Sequence, residues 1–239
     1  MGSSADWTPV VQQLEDGFRC LTVDLPGHGQ SLGQPEEAYS VEGATDAVVD
    51  VLDAEGIAAC TFIGYSMGGR VALSLALRHP KRAERLVLES ASPGLKTEAD
   101  RAERRAVDAE RAARIEDDLE AFLADWYRQP LFESLARHGL VEEMVETRST
   151  NDPQELARAL RGMSPGRQTS FWNRLGEIEC PTLLLTGALD DKYMAITKDA
   201  AARIDSARRV VLSGAGHNVH AERSSAFVEA LDSFLADTF

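Results

Sequence analysis

The chain has 239 residues, of which 44% are hydrophobic, enough for one large domain with a substantial core. Its formal net charge of −14 argues against nucleic acid or an anionic membrane surface as the main partner. A few basic residues gathered in one cleft remain compatible with an anionic small molecule. No run of about 18 apolar residues predicts a transmembrane helix, and the first residues lack the pattern of a signal peptide.

The three cysteines, Cys20, Cys60 and Cys180, are scattered along the chain, and no pair has the spacing of a metal site. Two of them lie inside or beside apolar runs, so we expect small buried thiols in a reducing compartment. The sequence therefore predicts a cytoplasmic protein without a metal ion.

Short apolar runs predict five β-strands, FRCLTV (18–23), CTFIG (60–64), RLVLES (85–90), TLLLTG (182–187) and RRVVLSG (208–214). The runs are continuous rather than alternating, which is typical of strands buried on both faces of a sheet. Helical patterns separate most of them. This alternation predicts an α/β fold with a mostly parallel sheet flanked by helices.

Residues 95–175 interrupt the alternation once. The stretch is strongly charged and helical in pattern, and it contains no convincing strand. One interpretation is a solvated helix with opposite charges along its surface. We favour a helical cap inserted over the end of the sheet, because the strand–helix alternation resumes afterwards. The chain then divides into a first core part (1–94), a cap (95–175) and a second core part (176–239).

The sequence GYSMG (64–68) matches the pattern G-x-S-x-G. Five-residue patterns recur by chance, but this one directly follows an apolar strand and directly precedes a helix, which is the context of a nucleophile elbow. Gly64 and Gly68 are expected to make room for the sharp turn. Ser66 is the candidate nucleophile, and the backbone N–H of Met67 is a candidate oxyanion donor.

A nucleophilic serine needs a histidine base and a carboxylate that orients the base. In α/β folds with a nucleophile elbow, the three residues follow one another along the chain as serine, acid and histidine, each at the carboxyl end of a strand. Asp190 follows TLLLTG and is the predicted acid, whereas Asp191 is expected to be solvated or to cap the next helix. His217 follows RRVVLSG and is the predicted base, and His220 is expected to pack or hydrogen-bond nearby.

Together with DLPGHGQS (24–31), these residues resemble the α/β-hydrolase superfamily over nearly the whole chain. Within it, GYSMGGRVAL, LVLESASPGLKTEADRAERR, ADWYRQPLF, ETRSTNDP and GAGHNVHAE resemble the 2-succinyl-6-hydroxy-2,4-cyclohexadiene-1-carboxylate synthases of menaquinone biosynthesis. Several of these stretches lie in the cap, where hydrolases generally diverge.

This resemblance implies a lyase. The family eliminates pyruvate from 2-succinyl-5-enolpyruvyl-6-hydroxy-3-cyclohexene-1-carboxylate by triad-assisted proton abstraction, so the implied partner is an anionic small molecule with several carboxylates. No cofactor is implied, and no oligomeric state is predicted. Two alternatives stay open: a serine hydrolase of the same fold, acting as an esterase or C–C bond hydrolase, and a truncated binding module without catalysis.

Arg70 lies one helical turn beyond Ser66, on the same side of the predicted helix. A buried guanidinium needs a partner, which a substrate carboxylate can supply. The alternatives are that Arg70 pairs with a protein carboxylate or that it reaches solvent.

The resemblance implies anion-binding roles for Arg104 and Arg148, and Tyr65 and Trp126 are further candidate substrate-binding residues. Arg101 and Arg105 are close rivals of Arg104, since a charged helix carries arginines in any case. Tyr127, Phe132 and Trp172 are candidate pocket walls together with Trp126, although packing of the cap would explain these aromatic residues almost as well.

The chain opens with MGSSADWTPVVQQLEDG. In the family this stretch follows a strand ending in His-Gly-Phe, whose loop donates the second oxyanion N–H. That strand normally lies between FRCLTV and the strand before Ser66, so the N-terminal strands of the fold are missing and two buried edges lose their partner. Three interpretations compete: a truncated sequence, a sheet that closes around the gap, and a degenerate relative that only binds.

Overall fold

The computed structural model describes residues 1–14 and 16–236. Its sheet consists of β1 (Cys60–Tyr65), β2 (Ala83–Glu89), β3 (Thr182–Gly187) and β4 (Ala207–Leu212), in that order. Every neighbouring pair is parallel. All six residues of β3 are buried, as its continuous apolar run predicts, whereas β1 is partly buried and β4 is half-exposed. The predicted α/β fold with a parallel sheet is confirmed.

Helices surround this sheet. Outside the segment between β2 and β3 they are α1 (Thr8–Leu14), α2 (Val41–Ala54), α3 (Met67–Arg78), α9 (Asp191–Ala201), α10 (Val219–Glu222) and α11 (Ser224–Ala236). Between β2 and β3 they are α4 (Glu98–Asp117), α5 (Leu119–Trp126), α6 (Glu133–Arg137), α7 (Val141–Ser149) and α8 (Pro153–Gly162). Short 3-10 turns cover Ser4–Trp7, Glu36–Tyr39, Pro80–Arg82, Pro130–Phe132 and Leu175–Glu177. No helix among the described residues is long and apolar enough to cross a membrane.

The two faces of the sheet carry separate apolar cores. Successive side chains of a strand point to opposite faces, so Leu184 packs into one core while Leu183 and Leu185 pack into the other. The first core receives α2, α3 and α9, and the second receives α1 and α11. Each fully buried leucine contributes roughly 1.5–3 kcal/mol relative to an exposed one. The sheet is therefore anchored from both sides, and its carboxyl ends are held in place.

The helices α4 to α8 fill the segment for which the sequence predicts a cap. Among the described residues of 95–175, none is in a strand. The helix α4 is not solvated all round, because Ala112 and Ile115 are fully buried and share a core with Phe122 and Leu156. The charged residues of α4 cover its remaining surface.

The prediction of a strand over residues 18–23 is wrong. This stretch has no regular secondary structure, and Phe18 and Leu21 are 47% and 43% exposed. A strand forms only where its backbone groups pair with a neighbouring strand. Within the described residues the sheet ends at β1 on one side, and residues 18–23 pair with no strand there. The sheet consequently does not close around the gap.

The cysteines also differ from expectation. Cys20 is exposed because its predicted strand does not form, and Cys60 and Cys180 are half-buried rather than buried. Cys60 and Cys180 are free thiols. Burial raises the pKa of both the Cys60 and the Cys180 thiol, so these two side chains are protonated at neutral pH.

We expect Leu185→Ala and Leu21→Ala to differ sharply in stability. Leu185 is fully buried in β3, and its truncation should lower the free energy of unfolding by roughly 2–5 kcal/mol. Leu21 is exposed, so its truncation should change that free energy by less than about 0.5 kcal/mol. Urea denaturation followed by circular dichroism measures both. A loss at Leu21 as large as that at Leu185 would mean that residues 18–23 are a buried strand after all.

Candidate active site

Ser66 occupies the turn between β1 and α3. Its backbone has φ 49° and ψ −103°, a left-handed conformation that costs a non-glycine residue energy. The turn is held from two sides, since Ser66 N–H donates to the Glu89 carbonyl at 2.8 Å and Arg70 N–H donates to the Ser66 carbonyl at 3.2 Å. The serine is thus presented at the carboxyl end of β1, where α3 begins.

Two glycines make this turn possible, and only one of them is the expected one. A Cβ on Gly64 would lie 2.5 Å from the Gly68 carbonyl oxygen, and a Cβ on Gly69 would lie 2.5 Å from the Cβ of Ala91. A Cβ on Gly68 would meet nothing within 4 Å. The expectation for Gly68 is therefore wrong, and Gly69 is the residue that allows the close approach.

The three residues expected to form a triad lie together. His217 Nδ1 is 2.7 Å from Asp190 Oδ2, and His217 Nε2 is 3.1 Å from Ser66 Oγ. Asp190 and His217 are both buried. With Nδ1–H donating to the carboxylate, Nε2 carries the lone pair that accepts the serine O–H. The arrangement suits transfer of the serine proton to His217.

The loops that carry the acid and the base are joined to each other. Leu189 N–H donates to the Ala215 carbonyl at 2.9 Å. Asp190 Oδ1 also accepts the N–H of Tyr193 at 3.1 Å, so Asp190 rather than Asp191 caps α9. Asp191 is exposed, in agreement with the other expectation for it.

Aromatic rings enclose His217. The ring centroid of Tyr193 lies 4.6 Å from that of His217, Tyr65 lies at 5.3 Å and Phe132 at 6.0 Å. The ring of Trp126 is tilted against that of Phe132, with the two centroids 5.7 Å apart. The sequence analysis did not identify Tyr193 as a site residue. The only hint in the sequence is its position, three residues after the predicted acid Asp190.

His220 forms a second buried pair beneath the triad. Its Nδ1 lies 2.8 Å from Glu89 Oε2, and its backbone N–H donates to Glu89 Oε1 at 3.0 Å. Its ring stacks on Trp7 at 4.4 Å and meets the edge of Tyr65 at 5.1 Å. The expectation that His220 packs and hydrogen-bonds nearby agrees with these contacts.

Arg70 is buried, and its charge has only neutral partners. Nη1 donates to the Met163 carbonyl at 2.8 Å and to Gln168 Oε1 at 3.0 Å. No ion pair joins Arg70 to a carboxylate within residues 1–14 and 16–236. Burial lowers the pKa of Arg70 to about 10, while the neighbouring Tyr193 acts in the opposite direction. The guanidinium therefore remains protonated at neutral pH.

Arg104 and Arg148, in contrast, have carboxylate partners. Arg104 Nε lies 2.8 Å from Asp108 Oδ2, and Arg148 Nη2 lies 2.9 Å from Asp6 Oδ2. Arg148 is buried and lies over the ring of Tyr127. The rivals Arg101 and Arg105 both bind Glu98 on the exposed side of α4.

Met67 is the first residue of α3. The first N–H groups of a helix have no partner within the helix, and the helix dipole favours negative charge beside them. No group of three or more potential metal-ligating side chains occurs in the described part of the chain.

Comparison with known proteins gives concordant results. The family model of the α/β-hydrolase fold matches residues 1–224. The chain is 38% identical to the putative 2-succinyl-6-hydroxy-2,4-cyclohexadiene-1-carboxylate synthase of Bacillus subtilis, over 98% of this chain and 86% of that protein. It is 31% identical to the synthase of Serratia proteamaculans, over 99% and 90%. The solved structure of MenH from S. aureus superposes with a TM-score of 0.92 at 34% identity, over 98% and 89% of the two chains.

We expect Gly69→Ala and Gly68→Ala to have opposite effects on stability. Both changes give a helix residue the same gain in helix propensity, about 1 kcal/mol. Only at Gly69 does the added methyl group collide with Ala91, so Gly69→Ala should lower the free energy of unfolding by roughly 1–3 kcal/mol, whereas Gly68→Ala should leave it unchanged or raise it. Paired urea titrations measure both, and equal effects would contradict the tight contact at Gly69.

Proposed function

The chain belongs to the α/β-hydrolase-fold family of 2-succinyl-6-hydroxy-2,4-cyclohexadiene-1-carboxylate synthases, enzymes of menaquinone biosynthesis, and from that premise we propose the residues that carry out its reaction. Ser66, His217 and Asp190 act as a proton-abstracting triad. The reaction is the elimination of pyruvate from 2-succinyl-5-enolpyruvyl-6-hydroxy-3-cyclohexene-1-carboxylate, which makes the enzyme a carbon–oxygen lyase.

In this mechanism Asp190 holds the His217 tautomer whose Nε2 accepts a proton. His217 takes the proton of Ser66, and the Ser66 oxygen removes the ring proton next to the succinyl ketone. The electron pair of that C–H bond shifts through the ketone and the ring to form the conjugated diene. The bond from the ring to the enolpyruvyl oxygen breaks, and the departing enolate takes up the proton held by His217 and becomes pyruvate, which leaves Ser66 protonated by the ring proton and His217 neutral again.

Negative charge develops on the succinyl ketone oxygen during this step. The N–H of Met67 at the start of α3 is the proposed donor to that oxygen, since it is aimed from the same turn as the nucleophile. Removing one such donor typically lowers a rate by roughly 100- to 1000-fold.

The observation that carries the proposal is the unpaired charge of Arg70. A guanidinium buried without a carboxylate is costly, and an anionic group arriving beside it offsets that cost. The proposed substrate has three carboxylates, whereas a neutral ester has none to offer. A hydrolase of neutral esters is for this reason the less supported alternative.

Arg104 and Arg148 are proposed as further anion-binding residues. Each is held by one carboxylate, Asp108 or Asp6, and retains other N–H groups for the substrate. Tyr65, beside His217, and Trp126, beside Phe132, are proposed as walls of the site. The segment 95–175 acts in this proposal as a cap that supplies Arg104, Arg148 and Trp126.

The proposal also locates the enzyme in the cytoplasm, because the free thiols of Cys60 and Cys180 suit a reducing compartment. The anionic small-molecule substrate needs neither nucleic acid nor a membrane as a partner.

We expect Ser66→Ala to abolish pyruvate release while the protein stays folded. Without the hydroxyl there is no base at the ring carbon, so kcat should fall by roughly 1000-fold or more. A coupled lactate dehydrogenase assay measures pyruvate. Circular dichroism checks the fold, which should be retained, since the change removes one oxygen atom and its single contact with His217. Wild-type turnover by this variant would refute the mechanism.

We expect Arg70→Met to raise KM for the proposed substrate by roughly 10- to 100-fold, because an interaction with a substrate carboxylate is lost. Methionine keeps the apolar stem of the side chain and removes the charge. Arg128→Met, in the exposed turn after α5, is the matched control and should leave KM unchanged. If Arg70→Met left KM as it is, Arg70 would have no part in anion binding.

A further inference from the structure

The loop of the catalytic histidine is tied to a carboxylate that the mechanism above does not use. The N–H of Gly216 donates to Glu222 Oε2 at 2.7 Å, and the N–H of Asn218 donates to Glu222 Oε1 at 3.2 Å. These are the residues directly before and after His217. The Glu222 side chain has no exposed surface, so water does not compete for either oxygen.

We propose that Glu222 is a positioning residue for His217, which it aims at Ser66 and Asp190. One rigid carboxylate binds the amide groups on both sides of His217, and together these amides set the direction of its Cα–Cβ bond. Hydrogen bonds to an ionised acceptor are stronger than those between neutral groups. The role rests on the proposed function of the triad, but it applies to any chemistry in which His217 takes the proton of Ser66.

The short distances in the triad require the His217 ring to keep its orientation. Nδ1 and Nε2 of His217 reach partners on two other loops, at 2.7 and 3.1 Å. A rotation of the backbone at position 217 would displace the ring and so disturb its contacts with both Asp190 and Ser66. A displacement of about 1 Å at a reacting group is enough to lower a rate roughly 100-fold.

The helix α6 lies against Glu222 on the side opposite the His217 loop. His138, at the end of α6, has its Nε2 2.8 Å from the Gly214 carbonyl oxygen and 3.9 Å from Glu222 Oε2. Ser134 of α6 packs so tightly on the loop that a Cβ on Gly216 would lie 2.0 Å from its Oγ. The glutamate is therefore enclosed between the histidine loop and α6, and α6 reinforces its hold on that loop.

The test compares Glu222→Gln and Glu222→Ala with the control Glu229→Gln, whose side chain is exposed on α11. Four quantities are measured on each folded protein: kcat and KM for pyruvate release, the rate at which a fluorophosphonate labels Ser66, and the melting temperature. Labelling reports on the Ser66–His217 unit without requiring the natural substrate.

For Glu222→Ala we expect kcat and the labelling rate to fall together by roughly 10- to 100-fold, with KM within about twofold of the parent. For Glu222→Gln we expect kcat and the labelling rate to fall less, because its amide oxygen keeps one of the two hydrogen-bond acceptors. Glu229→Gln should match the parent in every measurement.

Parent-like kcat and labelling in both folded variants would overturn the proposal. A rise in KM alone, or a loss of activity equal to the unfolded fraction, would overturn it too, since Glu222 would then act on binding or on folding only. Should Glu222→Ala fail to fold, Glu222→Gln decides by the same criteria. If the parent is labelled but releases no pyruvate, the proposed lyase function is wrong. The labelling rates of the variants still test whether Glu222 positions His217.

Discussion

The carboxyl ends of β1, β3 and β4 must lie along one edge of the sheet, because every neighbouring pair of strands is parallel. Ser66 follows β1, Asp190 follows β3 and His217 follows β4. Residues separated by as many as 151 positions are in this way brought into hydrogen-bond contact. The apolar cores on both faces anchor the strands, so the contacts of His217 with Ser66 and Asp190 are already formed in the absence of a ligand.

Charge is distributed unevenly in this molecule. The chain as a whole carries a formal charge of −14, yet Arg70 is buried with neutral hydrogen-bond partners, whereas the buried Arg148 is paired with Asp6. A buried cation attracts an anion more strongly than a surface arginine does, because less solvent screens it. On the function proposed above, Arg70 favours a small acid, while the net negative charge of the chain disfavours a polyanion.

Much of the architecture followed from local signals. Each of the four strands in the described part of the chain contains a short apolar run, and Ser66, Asp190 and His217 lie one, three and five residues beyond the ends of β1, β3 and β4. Residues 18–23 carry the same apolar signal but form no strand, because pairing depends on a neighbour and not on composition. The sequence pattern therefore predicts where a strand is possible rather than where one forms.

Other features depend on contacts between distant segments, which no local pattern contains. Gly69 rather than Gly68 is constrained because Ala91, more than twenty residues away, packs against it. Arg70 finds its partners at Met163 and Gln168 in the segment between β2 and β3. Glu222 is one of many glutamates in the sequence, and only the folded loop brings it to the amides beside His217.

The edge at β1 has a consequence for handling the protein. Within the described residues, β1 pairs with β2 on one side only, and its sequence CTFIGY is uncharged and rich in β-forming residues. A row of backbone groups of this kind is a template for a strand of a second molecule, and natural sheets usually block it with charge, proline or a covering segment. Concentrating or warming the protein should accordingly promote intermolecular β-structure, and aggregation of this kind would make thermal unfolding irreversible.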